Sequence, residues 1–411
     1  MNNNRYIQIS TLTTYPASLI NRDDSGLSKR ISFGGATRTR ISSQCLKRHW
    51  RMDNGPWSLL NVDESIARSI RSRSIFPEII ERQLIDEGLD PAKVVAASQV
   101  FQAALYDAKS KKTSGADKKG KAKKSDNADN NVATSTEDLL SPKRKELIVL
   151  GRPEITYLTN AIRDLVKDCD TVEDVTSKAD EWFAANQQNF QGLRCGAGLD
   201  AAMFGRFVSG DVKARVNAAV HVAHAFTVHS EESEIDYFVA VDDLETMGTA
   251  HINSTELTSG IYYTYVVIDV PQLVSNIEGC AVQDWQNANR EITAKLVKHM
   301  LHLMTTVTPG AKLGSTAPYA RPWFVLAETG DAQPRTLADA YLKPVPLHGD
   351  MRDAALRQME QYITACDSMY GDSKNEQRLV ASMYDVAIPG AERVSIDDMG
   401  VKLENTVLGV E

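Results

Sequence analysis

The chain has 411 residues, 42% of them hydrophobic and 24% charged, with a formal net charge of -8. That length can bury a full core and suggests about two or three lobes; five scattered cysteines without a CxxC pair exclude a disulfide framework and a zinc knuckle. No stretch approaches the ~20 apolar residues of a membrane span, and the opening MNNNRYIQIS lacks the basic and apolar regions of a secretion signal, so a cytoplasmic location with no membrane partner is expected.

Ile7 and Ile9 alternate with Gln8 and Ser10, which predicts a first strand over 6–13, followed by a turn at Pro16. From Arg22 to Arg51 the charge balance inverts. Arg22, Lys29, Arg30, Arg38, Arg40, Lys47, Arg48 and Arg51 stand against only Asp23 and Asp24. A basic patch on an acidic body is the footprint of a polyanion-binding face; the bland alternative is a solvated surface. The segment reads as a Gly-punctuated loop and then a helix over 43–51 capped by Ser42 or Ser43. On that helix Gln44, Lys47, Arg48 and Arg51 recur at i, i+3, i+4 and i+7 and share a face, while Leu46 and Trp50 point the other way. Upstream, Gly34 and Gly35 are expected to let the backbone approach a ligand, and Arg38 and Arg40 to project to one side of an extended segment. Helix amides, glycines and convergent cations make a cradle for phosphates, without the GxxxxGK[ST] spacing of a nucleotide triphosphate loop.

Residues 60–108 carry helical periodicity, and 109–138 (KSKKTSGADKKGKAKKSDNADNNVATSTED) have almost nothing to bury, which predicts a disordered surface loop. Helices resume at ITYLTNAIRDLVKDC and VEDVTSKADEWFAANQQ. VNAAVHVAHAFTVH (216–229) reads as a strand, EIDYFVAVDD and SGIYYTYVVIDV as the clearest strands of the chain, and DWQNANREITAKLVKHMLHLM and RDAALRQMEQYITAC as helices. The pattern is α+β with a long helical insertion after the first strand.

The blocks SLINRDD, FGGATRTRISSQCLKR, VAHAFTVHSEESEIDYFVAVDDL, GTAHINSTELTSGIYY and TPGAK, in that order over roughly 5–60 and 195–320, resemble the CasC family, the RNA-binding backbone subunits of type I-E CRISPR surveillance complexes (Cascade). The resemblance implies an RRM-like, ferredoxin-like RAMP palm over 1–58 and 195–411, with a β-hairpin thumb at about 231–261, and a helical fingers domain over 59–194. It implies a scaffold rather than an enzyme. Copies stack along a CRISPR guide RNA in a helical filament, and each thumb displaces a base at regular intervals so that the rest can pair with a target DNA strand. The other partners it implies are the large, small and RAMP cap subunits of the complex; no cofactor is implied.

Carried over by position, guide contacts fall on Arg22, Lys29, Ser42, Gln44, Lys47 and Arg48, and TPGAK adds Lys312. The resemblance gives Phe238 and Val239 of the thumb, with Phe207 from a neighbouring loop, as the wedge against the kinked nucleotide; the physical warrant is that apolar and aromatic groups unstack a base without reading it. Two positions depart from the family: Ala36 stands where relatives carry a basic residue, and Val239 where they carry a small polar one.

Other signals have structural readings. His221, His224 and His229 lack HExxH spacing and alternate in facing along a strand, which favours core or surface roles over metal ligation. Adjacent Asp242 and Asp243 point to opposite faces and cannot act as an acid/base pair. Tyr262, Tyr263 and Tyr265 suggest a stacking platform of which half must face the core. The competing function is a RAMP endoribonuclease that cuts target RNA through Asp23 or Asp24; salt bridges to the local arginines are the structural use of those two carboxylates.

Overall fold

The computed structural model of the chain describes residues 4–66, 68–106, 139–191, 195–206, 216–241, 249–370 and 377–410. The loop expected over 109–138, Phe207, Asp242 and Asp243 lie outside the described residues.

The first strand, β1 (Tyr6–Ser18), runs through Pro16 instead of stopping there. Its register on a later strand shifts between Tyr15 and Ser18, and Ala17 takes φ 40°, so the proline sits in a bulge where no ladder amide is needed. The basic segment contains a hairpin that its glycines suggested only as a loop: β2 (Arg30–Phe33) pairs with β3 (Ala36–Ile41) and leads into α1 (Ser43–Met52). The chain then forms β4 (Ile70–Ser72), a π-helical turn Phe76–Glu81, α2 (Arg82–Asp86), α3 (Pro91–Tyr106), β5 (Ile148–Leu150), α4 (Arg152–Lys167), α5 (Val172–Gln191) and α6 (Leu199–Phe204). Strands return with β6 (Val220–Val222), β7 (Ala225–Thr227), β8 (Glu232–Val241) and the long β9 (Thr249–Asp269). The remainder is α7 (Val270–Glu278), α8 (Glu291–Thr306), α9 (Leu313–Thr316), β10 (Phe324–Gly330), α10 (Met351–Tyr370), β11 (Gln377–Ser382), β12 (Ala391–Arg393) and α11 (Ile396–Leu408).

The chain divides into two compact units. One comprises Met1–Glu64, Ala219–Ser275 and Cys280–Glu411; the other comprises Ser65–Ala218 with Asn276–Gly279. The first is built on a mixed sheet of order β12-β11-β10-β1-β9-β7-β3-β2, with β6 and β8 also paired to β9; β11 and β12 are parallel. Both faces of its central strands are buried. Leu12, Tyr263, Tyr265, Val267, Phe324 and Leu326 pack with Ala355, Leu356, Met359 and Ile363 of α10, while Ile7, Ile9, Val266 and Ile268 on the other face are equally enclosed. Gln8 and Ser10 of β1 are therefore interior groups with partners: Gln8 Oε1 accepts from the Tyr265 hydroxyl at 2.6 Å, and Ser10 Oγ lies 3.3 Å from Tyr263 Oη.

Tyr262, Tyr263 and Tyr265 are only 1%, 1% and 9% exposed, so the stacking platform suggested by the sequence does not exist; the hydrophobic return of burying three rings outweighs display. The α+β class expected from the sequence is the class the chain adopts.

The second unit is mainly helical. Phe101 of α3 stacks on Trp182 of α5 at 5.0 Å, inside a cluster that includes Phe76, Leu84, Ile155 and Leu158. Glu154 accepts the Gly151 amide at the start of α4 and pairs with buried Arg206 at 2.6 Å, which closes that helix end.

Candidate nucleic-acid interface

The helix expected at 43–51 forms as α1, with Ser42 at its cap: the Ser42 hydroxyl accepts the Cys45 amide at 3.3 Å and its own amide donates to Asn21 Oδ1 at 2.9 Å. Ser42 is thus buried and consumed by local structure, a correction to its placement as a surface contact. Leu46 and Trp50 are buried while Gln44 and Arg48 are exposed and Lys47 and Arg51 half-buried, as amphipathic spacing dictates. Burial lowers the Lys47 ammonium below its ordinary value, so this cation already carries a desolvation cost that an anion would offset.

Arg38 requires the largest correction. It is 0% exposed, and its guanidinium donates to the carbonyls of Phe33 at 3.3 Å, Thr227 at 2.9 Å and Tyr341 at 3.0 Å. Three acceptors from three segments hold the cation inside, where desolvation lowers its pKa, and it cannot reach a phosphate. Gly34 and Gly35 are also reassigned. Their φ values of 60° and 75° and the Phe33↔Ala36 pairing make the two-residue turn of a hairpin, and a Cβ on Gly34 would lie 1.6 Å from the Leu342 carbonyl oxygen. Protein backbone, not ligand, makes the close approach there.

Lys29 and Arg40 remain at the surface, both half-buried. Their backbones are tied in series to the loop after β1: the Lys29 amide donates to the Asn21 carbonyl at 2.9 Å and the Arg40 amide to the Lys29 carbonyl at 2.8 Å. Arg22 is exposed in the loop after β1 and bridges Ser28. Lys29 and Arg48 both act on Cys45, and Lys29 and Arg40 both act on His224, which places the three cations in one neighbourhood. Burial nevertheless pushes the Cys45 thiol up to about 11 against the pull of Lys29 and Arg48, so it is protonated and no nucleophile. Among the described residues, Lys29, Arg40 and Arg48 form no ion pair with a carboxylate; Arg30 does, with Glu231 at 2.5 Å and with Glu256.

That Arg30 tie links the basic loop to the base of the β8–β9 hairpin, aided by the Ser28 amide donating to Glu256 at 2.6 Å. Ile235, Tyr237, Phe238 and Val239 of β8 are 66%, 62%, 40% and 40% exposed, an apolar display that sequence reasoning found only at its last two members. Lys312 stands beside it, its ammonium donating to Thr255 Oγ1 and lying 5.5 Å from the Phe238 ring centroid. The Ala311 amide donates to the Leu19 carbonyl at 2.9 Å, joining this corner to the end of β1. The structure therefore gathers Lys312 with Phe238, and Lys29 with Arg40 and Arg48.

Asp23 makes no salt bridge among the described residues; its carboxylate accepts the Ser25 and Leu27 amides at 2.9 and 3.0 Å, a loop-closing role. His229 is buried with both ring nitrogens bonded to backbone, and the described residues hold no group of three or more His, Cys, Asp or Glu able to bind a metal. Sequence reasoning read His224 only as a core or surface histidine, with no part in this face. The residue shows no motif; only the strand break beside Arg40 reveals it.

A family model described as "CT1975-like protein" matches residues 7–408. Two solved chains share the fold. One, from a structure described as "CRISPR RNA-guided surveillance complex, pre-nicking", aligns with TM-score 0.70 at 24% identity, covering 97% of this chain and 100% of that one. The other, from a "CRISPR RNA-guided surveillance complex", aligns with TM-score 0.62 at 22% identity, covering 97% and 99%. No curated relative matches in sequence.

Proposed function

The chain belongs to the CT1975-like protein family, and from that premise we propose that it is the guide-RNA-binding backbone subunit of a type I-E Cascade complex. The observation that carries this reading is the group Lys29, Arg40 and Arg48, surface cations without a carboxylate partner among the described residues, on a chain that is acidic overall. Unpaired cations at a helix face and hairpin edge favour a phosphate backbone and read no base, as a scaffold for many guides requires. Fold likeness over nearly the whole length to chains of RNA-guided surveillance complexes supports the same role.

In this reading the central sheet is the RAMP palm, β8 and the facing part of β9 are the thumb, and Phe238 and Val239 wedge against a displaced base. Arg22, Lys29, Arg40, Gln44, Lys47, Arg48 and Arg51 line the backbone path, and Lys312 serves the thumb. Copies of the chain tile one guide, which pairs with a target DNA strand, together with large, small and RAMP cap subunits. The subunit is read as a scaffold rather than an enzyme; Asp23, one of the two carboxylates a nuclease would use, accepts two amides of its own loop. Electron micrographs of the protein purified with its nucleic acid test the reading. Regular helical arrays of one repeating subunit are expected; lone particles free of RNA would overturn it.

A further inference from the structure

β6 and β7 both pair with β9, but not in one register. From Val222↔Val266 to Phe226↔Tyr263 the β6–β7 segment advances four residues while β9 advances three, so one extra residue is accommodated between them. Such a bulge re-aims a side chain and is over-represented beside functional sites. Here His224 falls in the bulge; its imidazole is exposed and meets Arg40, whose Nη1 lies 3.0 Å from His224 Nδ1.

A guanidinium can only donate, so Nδ1 must accept and the ring proton sits on Nε2. Free His224 is therefore neutral. Partial burial first, and then the charges of Arg40 from β3 and Lys29 from the segment before β2, lower its pKa from the ordinary histidine value. An imidazole in contact with one cation and within the field of a second has its charged form suppressed by a field that an incoming anion would reverse.

We propose that His224 is a further anion ligand of this face, taking up one proton from solvent when an RNA phosphate enters beside Arg40 and Lys29. The Arg40–His224 hydrogen bond then breaks, and guanidinium and imidazolium each donate to phosphate oxygens. The proposal rests on the RNA-binding reading and adds to it a proton coupled to binding.

The test is the affinity of the full-length chain for a fluorescently labelled single-stranded RNA at constant ionic strength, from about pH 8 to about pH 5.5, where phosphodiesters do not titrate and histidine does. The wild type should bind more tightly as pH falls, by up to about tenfold per unit for one proton taken up. His224→Asn and His224→Gln should lose that one-proton increment, so that their affinity rises less steeply than the wild type's as pH falls. His49 and His221 are common to all three proteins, so the difference between the curves isolates His224. Parallel curves with intact binding overturn this proposal alone. A wild type that binds no RNA at any pH overturns the reading beneath it, and this proposal with it.

Discussion

Two arginine-rich regions of the first unit treat charge in opposite ways. At β10 and β11, Arg378 bonds Asp367 at 2.6 and 2.7 Å and Glu328 at 2.9 Å, and Arg335 bonds the same Glu328 at 3.1 Å; the carboxylates raise Arg378 above even its ordinary pKa. Around α1, by contrast, Lys29, Arg40 and Arg48 have no such carboxylate among the described residues. Equal wealth in arginine thus means a rivet in one place and an open field in the other. Pairing, not abundance, separates a structural cluster from a binding one.

The comparison breaks most visibly at Glu328. Glu328→Ala removes a carboxylate that Arg378 and Arg335 share and should cost about 3–5 kcal/mol in urea unfolding, with RNA affinity of the folded protein unchanged. Arg38→Ala should behave like that rivet although it lies in the basic segment: two buried carbonyls and one part-buried carbonyl lose their donor, for a loss of about 2–4 kcal/mol.

A third environment suppresses charge chiefly by burial, although the Asp397 carboxylate lies 3.8 Å from His302 Nε2. His299 and His302 of α8 sit against Trp57, with His302 stacked on it at 3.6 Å, and burial lowers both pKa values. The unfolded chain then binds more protons than the folded one, so stability is full above about pH 6.5 and declines as pH falls through the lowered values, by up to about 1.4 kcal/mol per unit for each histidine. Urea unfolding across that range should show the decline, and His302→Gln should flatten it. An unchanged slope would mean that the stacked ring does not titrate with unfolding.

Arg48→Ala lies at the opposite extreme from Glu328. Stability should move by less than about 0.5 kcal/mol, while the slope of log affinity for RNA against log salt flattens by about 0.7 for the lost contact. Phe238→Ala should leave both stability and salt slope nearly untouched and change only the spacing at which bound RNA resists chemical probing.

The α1 face was legible because helical period alone sorts Leu46 and Trp50 inward and Gln44 and Arg48 outward. The fate of Arg38 was not. Extended spacing places Arg38 and Arg40 on one side, yet the carbonyls of Thr227 and Tyr341, far away in sequence, enclose the first and leave the second at the surface. The same limit hid the buried role of Gln8 and Ser10, whose alternation with Ile7 and Ile9 separates two interior faces rather than inside from outside. Ser42 illustrates a third: a residue suited to cap a helix is, once it caps, no longer available to a ligand. Lys312 and Phe238 stand far apart in the chain and meet only through the β8–β9 hairpin, a proximity the residues themselves do not announce.

The account stands or falls on whether the unpaired cations hold RNA. Binding of a labelled single-stranded RNA to wild type and to the double variant Lys29→Ala/Arg48→Ala across a salt series measures this directly. The account predicts tight binding at low salt, a steep fall with salt for wild type, and for the double variant weaker binding with a slope flatter by about 1.4. Identical slopes for two equally folded proteins, or no binding by wild type, would contradict it.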